Sequence, residues 1–278
     1  KLRLIKLMDS DTILGIAPLL KNNECITFFG STDLWDVHDF IPLEGKEEDF
    51  YKAFLHYLSV EDWSEIILES VGEGSYALEY LVEMSRSAGF SVHISEEDQL
   101  MGVELPATWE DYLSNLGKKD RHELRRKLRR LDRDTNYRVS KIDNPDEVYQ
   151  LMGEFLELMS QSREEKSEFL TLEREEFFKE MAYAMAKIGI LKIFFLEVDG
   201  IKTAATLCFD YKGTLYLYNS GHNIEFASLG TGFLLKALCL KYSIEEGKVY
   251  YDLLRGSEGY KHHLGAKKQM LYRISITR

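Results

Sequence analysis

The stretch with the most chemical content runs from Leu215 to Gly265, LYLYNSGHNIEFASLGTGFLLKALCLKYSIEEGKVYYDLLRGSEGYKHHLG. At its centre Leu229-Gly230-Thr231-Gly232 opens an apolar helix, Phe233 to Ile244, set between two strand-like runs, Leu215 to Asn219 and Val249 to Leu254. The first N–H groups of a helix lack intrahelical acceptors, and glycine removes the Cβ that would block an approaching ligand. The turn can therefore cradle phosphate oxygens, although the same G-x-G also serves as a simple tight turn. Polar groups cluster in and after the second strand: Asp252, Arg255, Glu258, Tyr260 and Lys261, followed by His262 and His263. His222 lies in the loop before the glycines. In an alternating strand Asp252 points away from Tyr251 and Leu253, placed to act as a base, to anchor a substrate, or to hydrogen-bond the Gly256 turn. No Ser/His/Asp triad, metal-ligand spacing or nucleophilic-cysteine signature is present.

The elements that must hold these residues occur in a repeated order. Ile190 to Val198, the Asp199-Gly200 turn and Ile201 to Phe209 read as a hairpin. Thr214 to Asn219 is a third strand, followed by the glycine turn, the helix, the strand at Val249, a short helix, and a strand at Met270 to Ile276. The front of the chain has the same sequence of elements. Lys1 to Met8 and Ile13 to Leu20 form a hairpin, Glu24 to Phe29 a third strand, Glu48 to Leu58 a helix with Phe50, Phe54 and Leu58 on one face, and Glu65 to Glu69 a strand. Tyr76 to Ser87 is a helix and Phe90 to Ile94 a short strand. The pattern reads as an internal duplication of one α/β unit. The first copy has several acids where the second has its glycines, so the second is the anion-binding candidate and the first a supporting copy.

Ala107 to Lys187, between them, reads as mostly helical. Thr108-Trp109-Glu110-Asp111 is a variant capping box, and Asn144-Pro145-Asp146 opens a helix with Val148, Leu151, Phe155 and Leu158 or Met159 inward. KKDRHELRRKLRRLDRD, Lys118 to Asp134, has one leucine stripe and a basic remainder. That remainder is either a solvated face balanced by the glutamates of 154–180 or a local anion site.

The net charge of −12 argues against a broad nucleic-acid surface or an anionic membrane as the general partner. The apolar fraction of 45% supports large globular cores. Cys25, Cys208 and Cys239 are far apart in apolar settings, as buried thiols of a reducing, cytoplasmic compartment are. No apolar run is long enough to span a membrane, and no signal peptide is seen. The chain starts at Lys1 in mid-strand and is expected to be a piece of a longer protein.

The element order, with a glycine loop between the third strand and the helix, resembles the GNAT acyltransferase fold. YYDLLRGSEGYKHHLGA, from Tyr250, resembles the closing signature of the CelD-like acetyltransferases and the related Fem peptidyl aminoacyltransferases. WEDYLSNLGKKDRHELRRKLRRL and GIAPLL…ITFFGS resemble the helical lead-in and the supporting half of the same group. The resemblance implies an α/β protein of two tandem GNAT-like units, with mixed, mostly antiparallel sheets flanked by helices. Residues 1–106 would form the supporting lobe and 107–278 the catalytic lobe, with a helical lead-in over 107–187. It further implies acyl-CoA (acetyl-CoA) as co-substrate, without a metal.

In such a fold the third strand of the catalytic unit splays from the next, here Tyr216 to Asn219 from Val249 to Leu254, to admit the acyl arm. The pyrophosphate rests on Leu229, Gly230, Thr231 and Gly232, with Asn219 beside them. This chain has Ala227 where the usual phosphate loop starts with Arg or Gln. Lys261 matches the Lys of the Fem aromatic-Lys pair and is expected to stabilise the oxyanion or leaving group. Tyr260 or Tyr218 is expected to protonate the leaving thiolate. Arg255, Glu258 and His222 are placed where the acceptor arrives. The acceptor is an amine or hydroxyl of a small molecule, glycan or peptide, and a cell-envelope or polysaccharide precursor suits CelD-like relatives. The alternatives are aminoacyl transfer from tRNA, which the basic helix favours, and a catalytically silent ligand-binding protein.

Overall fold

The computed structural model describes residues 1–278, which divide into two compact units, 1–100 with 268–278, and 101–267. The first unit opens with the antiparallel strands β1 (Leu2–Asp9) and β2 (Thr12–Asn22), followed by β3 (Cys25–Phe28) and the two-residue β4 (Ile41–Pro42). Helix α1 (Glu47–Val60), β5 (Glu65–Gly72), a π-helical turn leading into α2 (Val82–Ser87), and β6 (Ser91–Glu104) come next. β3 and β5 run parallel over Cys25↔Glu65 to Thr27↔Ile67. α1 buries Phe50, Tyr51, Phe54 and Leu58, which pack with Phe40, Trp63 and the sheet's Ile66 and Leu68. Strand β6 is far longer than the alternation at Phe90 to Ile94 suggested. Its acidic middle hides the pattern, yet Glu97 accepts hydrogen bonds from the Ser70 amide (2.7 Å) and hydroxyl (3.2 Å).

The second unit begins with α3 (Trp109–Asn115) and α4 (Lys118–Asp134). Thr108 caps α3, its hydroxyl accepting the Asp111 N–H at 3.1 Å. Strand β7 (Tyr137–Ile142) lies inside the segment read as helical, and pairs antiparallel with β8 (Leu191–Val198). Only six residues long and largely exposed, it has too short an alternation to stand out. Between them lie α5 (Pro145–Ser162), α6 (Glu164–Phe169) and α7 (Leu172–Lys187). Asn144 caps α5 and Pro145 takes its first position. Met152 rather than Leu151 is fully buried on its inner face, with Val148, Phe155 and Met159.

The remaining elements are β9 (Ile201–Tyr211), β10 (Thr214–His222), α8 (Thr231–Glu245), β11 (Tyr250–Arg255), the five-residue α9 (Gly259–His263) and β12 (Lys267–Thr277). Almost all of β12 belongs to the first unit, where Ile274 and Ile276 enter the core. Within the second unit β8, β9 and β10 are antiparallel neighbours, while β10 and β11 are parallel. The parallel pair covers only Thr214↔Tyr250, Leu215↔Tyr251 and Tyr216↔Asp252. Beyond Tyr216 the two strands part, and β10 shifts register against β9 between Leu217 and Asn219. This parting and the start of α8 position the site.

Candidate active site

The chain reaches α8 through a tight path. Asn223 Oδ1 accepts the Glu225 N–H at 2.9 Å, starting one turn of 3-10 helix. The Leu229 and Gly230 N–H groups then bond back to Phe226 O and Ala227 O, both at 3.0 Å. Gly230 takes a left-handed conformation (φ 69°) that a residue with a Cβ adopts only at a cost. The first turn of α8 has neither a capping side chain nor an acid, which leaves the N–H groups of Thr231, Gly232 and Phe233 for a ligand. Gly232 packs closely as well: a Cβ there would lie 3.1 Å from the His222 ring, which would have to shift by a few tenths of an ångström. The expected cradle is therefore shifted. Thr231 and Gly232 face the cavity, whereas the Leu229 and Gly230 amides bond within the turn.

A cavity of about 280 Å3 opens over this helix start. Arg163 and Lys166 reach it from the α5–α6 region, His222 from the end of β10, Lys236 from α8, and Glu258 and Tyr260 from the loop and helix after β11. Lys166 Nζ donates to Asn219 Oδ1 (2.7 Å) and to Ser220 O (2.5 Å). Lys236 is buried, donates to Gly232 O at 3.1 Å and lies 4.8 Å from the centre of the Tyr260 ring. Burial is the first cause of the shifts at these groups. It pushes Lys236 down to about 8. With help from the charges of Lys236 and Arg163, it pushes Lys166 down to about 7. Burial and the same cations also hold His222 below its ordinary value, as a neutral imidazole at pH 7. Tyr260 is raised, by burial and then by Glu258, and stays protonated. Burial opposes ionisation of Glu258, but the charge and hydrogen bond of Lys261 outweigh it and keep the carboxyl below its usual range.

Of the residues singled out in the sequence, His222, Gly230, Thr231, Gly232, Glu258 and Tyr260 meet at this cavity. Asn219 touches it only through Lys166. Lys261 does not line it. Its side chain is 1% exposed, and Nζ donates to the carbonyls of Leu254 (3.0 Å), Arg255 (2.5 Å) and Gly256 (3.2 Å) while pairing with Glu258 at 3.0 Å. A lysine this committed shapes the loop after β11. Asp252 Oδ1 accepts the Leu254 N–H at 2.8 Å, supporting a left-handed residue (φ 58°), a structural bond two residues short of the Gly256 turn. Tyr218 sits in the β10 bulge between Phe209 and Phe178, at ring-centre distances of 5.1 and 5.9 Å. Arg255 and Leu229 lie outside the cavity lining.

Arg163, Lys166 and Lys236 were not singled out. Lys236 had a signal, a lone charge on an otherwise apolar helix stripe four residues after Gly232. Arg163 and Lys166 sit in REEKSEF, which reads like any solvated turn.

The basic helix α4 also borders the glycine turn. Lys127 Nζ lies 3.3 Å from where a Cβ on Gly230 would be, and Arg130 donates to Ser228 O at 3.2 Å. The ion pairs of its arginines and lysines run to Glu110, Glu123 and Asp134, within or next to the helix, and not to the expected glutamates of 154–180. Local partners are available at helical spacing, so no distant ones are needed.

A hairpin, a third strand, a crossover helix with an uncapped start and a parallel strand that soon parts from its neighbour define a GNAT-type fold. A family model described as acetyltransferase (GNAT) domain matches residues 118–262, and the chain belongs to that family. Among solved structures, FemX is similar with a TM-score of 0.68 at 14% identity, covering 98% of this chain and 87% of that one. The C-terminal domain (DUF2156) assigned to a lysylphosphatidylglycerol synthetase of Agrobacterium fabrum gives 0.66 at 12% identity, over 100% and 84%. L-PGS from Bacillus licheniformis gives 0.62 at 11%, over 100% and 84%. At such identities these likenesses speak for the fold. No curated protein matches the chain.

Proposed function

We propose that the protein moves an acyl group, acetyl in the first instance, from acyl-CoA to an amine or hydroxyl of a small-molecule or cell-envelope acceptor. One observation carries this reading. The uncapped start of α8 and three basic side chains, Arg163, Lys166 and Lys236, converge on one cavity beside the parting of β10 and β11. Helix N–H groups and the Arg163 guanidinium suit a diphosphate, and the parting suits a narrow arm. These residues fit the donor although Ala227 replaces the usual basic or amide residue, because the positive charge comes from other elements. Bound there, the donor supplies an activated carbonyl. Acyl transfer is then mainly a matter of positioning and of stabilising developing charge.

In this reading Tyr260, held protonated, donates to the leaving group. Lys261 is a positioning residue that fixes Glu258 and the carbonyls of 254–256. The first unit is read as a supporting copy of the same fold, because its β3 and β5 also run parallel around a crossover helix. We place the reaction in the cytoplasm, a reading supported by the free buried thiols Cys208 and Cys239. No helix is long and apolar enough to cross a membrane.

Calorimetry with acetyl-CoA and longer acyl-CoAs tests the donor. Micromolar binding that Gly232→Glu abolishes is expected; no binding of any acyl-CoA by the wild type overturns the reading. A second reading, aminoacyl transfer from tRNA, is favoured by Lys127 and Arg130 of α4 at the glycine turn. Reversing the charge of Arg125 and Arg129 weakens tRNA binding and spares acyl-CoA binding if that second reading holds.

A further inference from the structure

We infer that Lys166 is the base that takes the proton from the attacking acceptor. The inference rests on the acyl-transfer reading of the cavity and adds a catalytic residue to it.

Its first support is geometric. α6 is a six-residue helix with no fully buried residue, and Lys166 is the side chain that turns from it into the cavity. Nζ meets two acceptors, Asn219 Oδ1 and Ser220 O. The identity of the first is fixed by the backbone, since the same Oδ1 also accepts the Ser220 N–H at 2.8 Å and must be the oxygen. A neutral amine has two N–H bonds and one lone pair. Two acceptors satisfy both N–H bonds and leave the third tetrahedral position, with its lone pair, to the cavity. An ammonium would instead aim a third N–H into the cavity, at water or a bound anion.

Location is the second support. Asn219 and Ser220 lie on β10 just past Tyr216↔Asp252, the last pair with β11, so the lysine stands where the strands part. The acyl carbonyl must come to that opening in any donor that threads it.

The groups facing Lys166 from each packed element agree. Lys236 from α8 and Arg163 before α6 oppose a further positive charge, Glu258 from the loop before α9 favours one, and His222 from β10 is neutral. Glu258 is already paired with Lys261 at 3.0 Å, and Tyr260 from α9 is neutral. Burial and the cations dominate and bring Lys166 to about 7, matched to proton exchange near neutral pH. His222, lowered from an already smaller value, is the weaker base.

The step balances. The acceptor nitrogen attacks the acyl carbon; the C–N bond forms and the bond from that carbon to the donor sulfur breaks. The proton lost from nitrogen goes to Lys166 Nζ, and the departing sulfur takes one from Tyr260. Lys166 then releases its proton and Tyr260 regains one by exchange with solvent, so that amine and thioester become amide and thiol.

Competitive labelling with trace acetic anhydride from pH 6 to 11, read lysine by lysine by mass spectrometry, tests this without an acceptor. The labelling of Lys166 is expected to inflect near 7, well below an ordinary lysine side chain. Lys236→Met should raise the Lys166 inflection. An inflection of Lys166 in the ordinary lysine range would make it a fixed cation, an anion clamp, and overturn the proposal; so would a Lys166 that no reagent reaches at any pH. Acetyl-CoA calorimetry on the same preparation keeps the two readings apart. Binding with an ordinary Lys166 removes the base and keeps the acyltransferase. A low Lys166 inflection without acyl-CoA binding removes the donor, and the step with it.

Discussion

The crossover helices of the two units invite comparison. α1 connects into β5, parallel to β3, and α8 connects β10 to the parallel β11. The chain path is alike, but the helix starts are opposite in charge. α1 begins after Lys46 with Glu47, Glu48 and Asp49, and Glu47 accepts the Gly45 N–H at 3.0 Å. α8 begins after a left-handed glycine with no acid and no cap. Carboxylates at a helix start satisfy its positive end internally, whereas an uncapped start keeps it for a ligand. The loops after the parallel strands differ as well. After β5 a serine holds the turn, Ser75 donating to Asp39 at 2.8 Å. After β11 a buried lysine holds it through three carbonyls and a carboxylate. One backbone route thus carries an acidic, internally satisfied helix start in one unit and a bare start beside basic side chains in the other, and a few side chains make the difference.

The comparison breaks most visibly at Lys261. Lys261→Met leaves Glu258 and three carbonyls without their cation and is expected to cost about 3–5 kcal/mol in urea unfolding. A cost under about 1 kcal/mol would show that the loop does not depend on it. Next in size, Gly232→Glu should weaken acetyl-CoA binding by about 100-fold, or about 2.7 kcal/mol. Lys46→Glu, at the matching helix start of the first unit, should leave it within about twofold. Equal losses at the two helix starts would erase the functional contrast.

The pH dependence of stability sharpens the contrast further. Burial brings Lys166 and Lys236 down to about 7 and about 8 in the folded chain, from the ordinary lysine value of 10.5. Between those values the unfolded chain binds more protons, so their contribution to stability rises with pH from about 7 to 10.5 and is flat below. Urea unfolding at pH 7 and 9 should show this rise in the wild type and a shallower one in the double variant Lys166→Met/Lys236→Met. An unchanged slope would mean that neither lysine is depressed. The smallest effect is expected at Ser75→Ala, about 1 kcal/mol, from loss of its bonds to Asp39 and to the Ala77 N–H. A loss as large as that at Lys261 would put the two loops on the same footing.

Much of the strand and helix order was legible because it rests on local periodicity. The hairpin β8–β9, the capped starts of α3 and α5, and the glycine start of α8 all have sequence signals. β7 and the long β6 were not legible. One is a short edge strand and the other carries acids in mid-strand, and in both the pairing partner decides. The site divides in the same way. Gly232, His222, Glu258 and Tyr260 were found because they cluster around a recognisable turn. Arg163 and Lys166 were not, because a lysine in a polar turn has no signature until the fold buries it. The opposite happened at Lys261, whose motif suggested chemistry while its burial among carbonyls binds it to the loop.

The sequence by itself determined where helices and strands begin, which helix start is acidic and which is bare, and the family of the second unit. Propensity, capping and apolar spacing act over a few residues, so they can be read along the chain. Only the tertiary structure decided that lysines from α6 and α8 share one cavity with His222, and that Lys261 faces inward. It also decided that the final strand joins the first unit's core. Those outcomes depend on desolvation and on charges brought together across tens to hundreds of residues, quantities that exist only once the chain has folded.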